Sequence, residues 1–107
     1  MKKYIIKLAG VTAGDAQENI KKFGCKDIGS FALVREPDNP HDPNAIRVEM
    51  AGFYLGYVPR HIAKDLAPFI DRGERYTALF VSCNKHPFHS TVGLTVKIVE
   101  YPCQAAA

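Results

Sequence analysis

The sequence predicts a mainly β domain, a small and partly closed antiparallel barrel decorated by two short helices. Three observations carry that expectation. The chain has 107 residues, which is one domain's worth. Its periodic segments run strand, helix, two or three strands, helix, two strands. The connections between them are too short for repeated parallel βαβ crossovers, which need a dozen or more residues. A helix lying on one face of an open antiparallel sheet is the alternative arrangement. With 47% hydrophobic and 23% charged residues, the composition is that of a globular domain with one core. A two-domain enzyme is excluded.

Each element has a local reason. Residues 3–9 alternate, with Tyr4, Ile6 and Leu8 on one face and Ile5, Lys7 and Ala9 on the other, which predicts a strand. Asp15 and Glu18 stand at the spacing of an N-cap and its N3 partner, and Ala16, Ile20 and Phe23 recur at helical intervals until Gly24. That predicts a helix over 15–23. Lys21 and Lys22 fall at its C-terminal end, where the helix dipole favours cations. Residues 28–36 form a second strand ending at Pro37. The segment EPDNPHDPN then carries three prolines, which cannot continue a ladder and predict a rigid, hydrogen-bonded loop. AIRVEM and FYLGYV flank Ala51-Gly52 as a two-residue hairpin. Pro59 opens a helix whose apolar stripe is Ile62, Ala63, Leu66, Ala67, Phe69 and Ile70, before Gly73. Pro68 inside that stripe predicts a kink or two short helices end to end. Residues 75–83 and 91–101 are two more strands, with CNKHPFHS between them. The domain is expected to span 1–103, with 104–107 a disordered tail.

The formal charge of +3 permits a polyanion partner only if the fold gathers it in one groove. Cys25, Cys83 and Cys103 are an odd number without CxxC spacing, poor material for a disulfide framework or a zinc site. A reducing cytoplasm follows as the expected compartment. Cys83 ends an apolar strand and reads as a buried structural thiol. Cys83, His86 and His89 stand at intervals resembling half of a zinc module, a weak metal set beside the plainer reading of surface histidines. No segment approaches the apolar length of a membrane span, and Lys7 interrupts the only signal-like run, MKKYIIKLAG. His41 with Asp42, His86 with His89, and Cys83 with His86 are the conceivable acid–base or nucleophilic pairs. Neighbours on extended chain face opposite ways, and no phosphate-cradling glycine loop is present. Neither catalysis nor a cofactor is expected. Aromatic faces and cations suited to bases and phosphates are present in Tyr54, Tyr57, Phe88, Lys7, Arg35, Arg47 and Arg60.

The run Leu33-Val-Arg-Glu-Pro-Asp-Asn-Pro-His-Asp-Pro-Asn-Ala-Ile-Arg-Val48, followed by Gly52, Leu55-Gly56-Tyr57-Val58-Pro59, Ala63, Leu66 and Gly73, closely resembles the HIRAN family. The resemblance implies a compact OB-like barrel. It also implies a DNA-binding module that recognises single-stranded DNA with a free 3′ end, in DNA repair or replication-fork processing, beside a helicase or nuclease acting in trans. By position, Asp42 would accept a hydrogen bond from the 3′-hydroxyl and repel a phosphate placed there. An Asx turn holding Asn44 is the structural role open to the same side chain. The resemblance makes His41 and Phe88 stacking residues, Arg60 a phosphate contact and Tyr57 a ligand-facing side chain. Where end-binding members have an Arg-Tyr pair, this chain has Ile6 and Lys7. Lys7 can meet a phosphate, but the lost stack is worth about 1–3 kcal/mol. A protein-interaction domain that has lost the DNA site and a zinc-binding domain are the competing functions.

Overall fold

The computed structural model describes residues 3–25, 30–85, 87–88 and 90–100. Along the chain come β1 (Lys3–Lys7), α1 (Ala16–Asn19) with a π-helical turn (Ile20–Gly24), β2 (Ser30–Arg35), β3 (Ile46–Met50) and β4 (Phe53–Tyr57). Then follow α2 (Arg60–Asp71), β5 (Tyr76–Lys85) and β6 (Val92–Glu100). The strands form one sheet in the order β1-β6-β5-β2-β3-β4, with every pairing antiparallel. Its two edges meet just past β1, where Ala9 and Tyr57 exchange both backbone hydrogen bonds at 2.7 and 2.8 Å. The result is a half-barrel closed at one seam, as the element order predicts. Gly56 makes the seam possible, because a Cβ there would lie 2.8 Å from the Ala9 carbonyl oxygen and 3.1 Å from Leu8 Cβ. A strand residue without a side chain permits another backbone to approach this closely.

The two-residue period sorts the strands into an inner and an outer face. Ile6, Leu8, Phe31, Ile46, Val48, Leu55, Ala78, Val92, Leu94, Val96 and Ile98 are buried, and the Ala63, Leu66 and Ala67 stripe of α2 joins the same core. Tyr4 donates from its hydroxyl to Asp65 and so ties β1 to α2. The hairpin falls where the sequence places it, with Ala51 at φ 51° and Gly52 at φ 85°, the left-handed pair that matches strand twist.

Three expectations need correction. First, of the two outcomes expected at Pro68, the pair of short helices is not found, because α2 runs as one helix through that residue. Pro68 and Lys64, whose carbonyl loses its donor, are both exposed, while the buried Ala63, Leu66 and Ala67 stripe holds the helix to the core. Second, the helix over 15–23 is one α turn continued by a π turn, and the Asp15 side chain makes no cap bond. Its end is instead fastened by tertiary contacts, with Phe23 stacked on Phe53 at 4.7 Å between ring centroids. Third, Cys83 is not a free thiol. It lies within β5, and it forms a disulfide with Cys25 at the end of the π turn, 58 residues earlier. An odd cysteine count concealed one pair, and the cysteine argument for a reducing compartment falls with it. Residues 28 and 29 of the second strand, His86, His89, Cys103 and the 104–107 tail lie outside the described residues.

Candidate nucleic-acid interface

The Pro-rich loop between β2 and β3 is held by hydrogen bonds within itself, centred on Asn39 and Asp42. The Asn39 carbonyl oxygen Oδ1 accepts from the backbone N–H groups of His41 at 2.8 Å and Asp42 at 3.2 Å, while its Nδ2 donates to Glu36 Oε1 at 2.9 Å. Asp42 Oδ1 accepts from the Asn44 N–H at 2.9 Å, the Asx turn anticipated above. The loop's base is closed by Glu36 N–H on the Ala45 carbonyl at 2.9 Å. Arg35 adds a third fastening, donating to that carbonyl and, in a fork, to both oxygens of Asp71 at the end of α2.

That loop forms one wall of a groove of about 440 Å³ at the barrel seam, with Ala9, Gly10, His41, Asp42, Tyr57 and Arg60 among its lining. Arg60 is the first residue of α2 and spans the groove. Its Nη2 donates to the His41 carbonyl at 2.7 Å, and its Nε stands 3.6 Å from Asp42 Oδ2. Most of the Arg60 side chain is in solvent, 73% exposed, whereas Asp42 is 16% exposed. Helix start, loop and seam thus bring four sequence-selected residues, His41, Asp42, Tyr57 and Arg60, into one place. Lys7 stands apart from the lining, on the same strand face as Ala9 and two residues before it, about 7 Å along the chain. Phe88 sits in the turn between β5 and β6 and is 85% exposed; it does not line the groove. Among the described residues no cluster of three or more His, Cys, Asp or Glu side chains could hold a metal, and the Cys83 sulfur is already bonded.

Behind the groove lies a charge network that the sequence reading missed. Glu36 Oε1 accepts from the Tyr57 hydroxyl at 2.6 Å as well as from Asn39. Burial raises the Glu36 pKa, but these two hydrogen bonds and the Arg47 charge outweigh it and hold the carboxyl below its ordinary value. Burial and the same Glu36 contact push the Tyr57 hydroxyl up to about 12. Arg47 lies 2.6 Å from Glu49 and 3.9 Å from Glu36, with its guanidinium over the Tyr54 ring. The Tyr54 hydroxyl donates to the Gly10 carbonyl at 2.7 Å. Arg35, Arg47 and Tyr54, all candidates for a ligand groove on residue type, are therefore engaged inside the fold. Nothing in the local pattern around Glu36 signals its role, because its partners come from the loop, β3 and β4.

The site is thus a small β half-barrel with a carboxylate, a guanidinium and a tyrosine gathered at its seam. The HIRAN domain family profile matches residues 7–100. The chain belongs to that family, whose members are nucleic-acid-binding modules that bind DNA. The solved HIRAN domain of human HLTF superposes with a TM-score of 0.68 at 20% identity, covering 92% of this chain and 74% of that one. A protein from Lactobacillus plantarum gives the same TM-score and identity over 94% of this chain and 100% of its own. At that identity the likeness establishes the fold. A Fanconi-associated nuclease 1 homolog from Oryza sativa subsp. japonica is 51% identical over 59 residues, which is 51% of this chain and 6% of that protein. So short a share of the relative does not carry its nuclease activity here.

Proposed function

We propose that this domain is a non-enzymatic reader of single-stranded DNA at free 3′-hydroxyl ends, serving DNA repair or replication-fork processing beside a helicase or nuclease that acts in trans. The observation that supports this reading most is the division of labour at Asp42. One carboxylate oxygen is held by the Asn44 N–H, and the other faces the groove beside Arg60, beyond hydrogen-bond distance at 3.6 Å. A terminal hydroxyl can donate to that second oxygen while Arg60 meets the adjoining phosphate. A 3′-phosphate in the same position sets negative charge against the carboxylate and is rejected. In this reading His41 supplies a stacking face, Tyr57 the groove wall, Lys7 a further phosphate contact, and Phe88 a stack from the β5–β6 turn. The test is an anisotropy titration of short oligonucleotides ending in a 3′-hydroxyl or a 3′-phosphate. Preference for the hydroxyl supports the reading; equal affinities overturn it.

A further inference from the structure

We propose that the outer face of β1, β6 and β5 is a track for the nucleic-acid backbone leaving the groove, an inference that rests on the end-binding reading above. The cross-strand register builds this face in rows: Lys7 beside Thr95 and Ser82, Ile5 beside Lys97 and Leu79, Lys3 beside Val99 and Thr77. The alternate residues Ile6, Val96, Ile98 and Ala78 are buried, so these rows point outward. Three lysines therefore share one face. Among the described residues no aspartate or glutamate occupies an outward position on these three strands, and no ion pair involves Lys3, Lys7 or Lys97. The contrast with the other half of the sheet decides the direction. There Arg47 is matched by Glu49 and Glu36, so that surface has no net attraction for phosphate.

The track is also continuous with the groove. Ala9 lines the groove and follows Lys7 on the same face, so a strand whose end rests at Asp42 and leaves past Ala9 meets Lys7 first, then Lys97 and Lys3. Ile5, 69% exposed, and Leu79, 36% exposed, flank Lys97 and offer apolar surface to sugars and bases between the phosphate contacts. The occupant is a single strand long enough to extend beyond the groove itself. Each phosphate neutralised on a single strand adds about 0.7 to the steepness of log affinity against log salt.

The experiment compares a dinucleotide with a twelve-nucleotide oligothymidylate, both with a 3′-hydroxyl, across about 25 to 200 mM salt. The proteins are the parent chain, the double variant K3A/K97A and the control K21A, which removes a lysine from the π turn. For the parent, the longer strand should bind more tightly, with a salt slope steeper by about 1.4 or more. K3A/K97A should weaken the longer strand roughly tenfold at low salt and lower its slope by about 1.4, leaving the dinucleotide and the far-ultraviolet circular dichroism unchanged. K21A should change neither. Equal slopes for the two lengths, equal losses on both, or the same loss in K21A would overturn the track. Repeating the longer strand with a 3′-phosphate separates the two readings. If the two ends bind alike while the K3A/K97A effect persists, end recognition fails and the track stands. If the ends are discriminated without a lysine effect, the reverse holds. No binding by either length at the lowest salt overturns both.

Discussion

At the scale of single residues, the proposed function gives Asp42 a second task beside its Asx turn, and a substitution can separate the two. Asp42→Asn keeps an oxygen for the Asn44 N–H, so the loop should stay folded, but it removes the charge that the proposed function makes the discriminator between ends. Affinity for a 3′-hydroxyl strand should fall by about 1.5–3 kcal/mol, the value of a charge-assisted hydrogen bond, and the preference over a 3′-phosphate strand should vanish in the same titration. The Glu36–Tyr57 pair makes a second prediction, this time about pH. Tyr57 holds its proton up to about 12 when folded and releases it near 10 when unfolded. Between those values the native state binds more protons, so stability falls as pH rises. Tyr57→Phe should flatten part of that alkaline decline in urea unfolding; an unchanged slope would refute the role assigned to Tyr57. Glu36, held below its ordinary value, acts on the acid side, where stability present above the carboxylate range is lost as pH falls beneath it. Asp42 was legible because an Asx turn spans two residues. Glu36 was not, because its partners Tyr57 and Arg47 lie on other strands.

At the scale of elements, the strands and the hairpin followed directly from period two and from Ala51-Gly52, because burying one face of a sheet constrains every second side chain. The helices were less transparent. Four residues of α1 have little stability of their own, so the π turn after it answers to Phe53 and to Cys83, not to the Asp15 and Glu18 spacing. Closure of the barrel is the element-scale event that matters most for the groove, since it sets Ala9 opposite Tyr57. Gly56→Ala places a Cβ against the Ala9 carbonyl and should cost about 1–3 kcal/mol, as overpacking does. Chemical denaturation gives the magnitude, and the same variant should weaken oligonucleotide binding by disturbing the seam. Wild-type stability in that variant would mean that the seam is not tightly packed.

At the scale of the whole molecule, a covalent link joins the end of the π turn to β5. The Cys25–Cys83 bond closes 58 residues of sequence separation, and such a link stabilises by about 2–4 kcal/mol, chiefly by restricting the unfolded chain. The double variant C25S/C83S should lose stability of that order in denaturant, and an unchanged midpoint would show that the bond contributes nothing to folding. The modest charge of +3 also acquires meaning only at this scale. Arg35 and Arg47 are neutralised by acids brought from other elements, while lysines distant in sequence collect on one outer face. The sequence by itself determined the mainly β class, the order of its elements, the hydrogen-bonded Pro-rich loop and its family, because period, turn chemistry and a dense local motif are written in neighbouring residues. Which cations stay available to a ligand, which cysteines pair, and that Arg60 reaches across to Asp42 were decided only by the tertiary structure, since each depends on residues made neighbours by strand register and barrel closure.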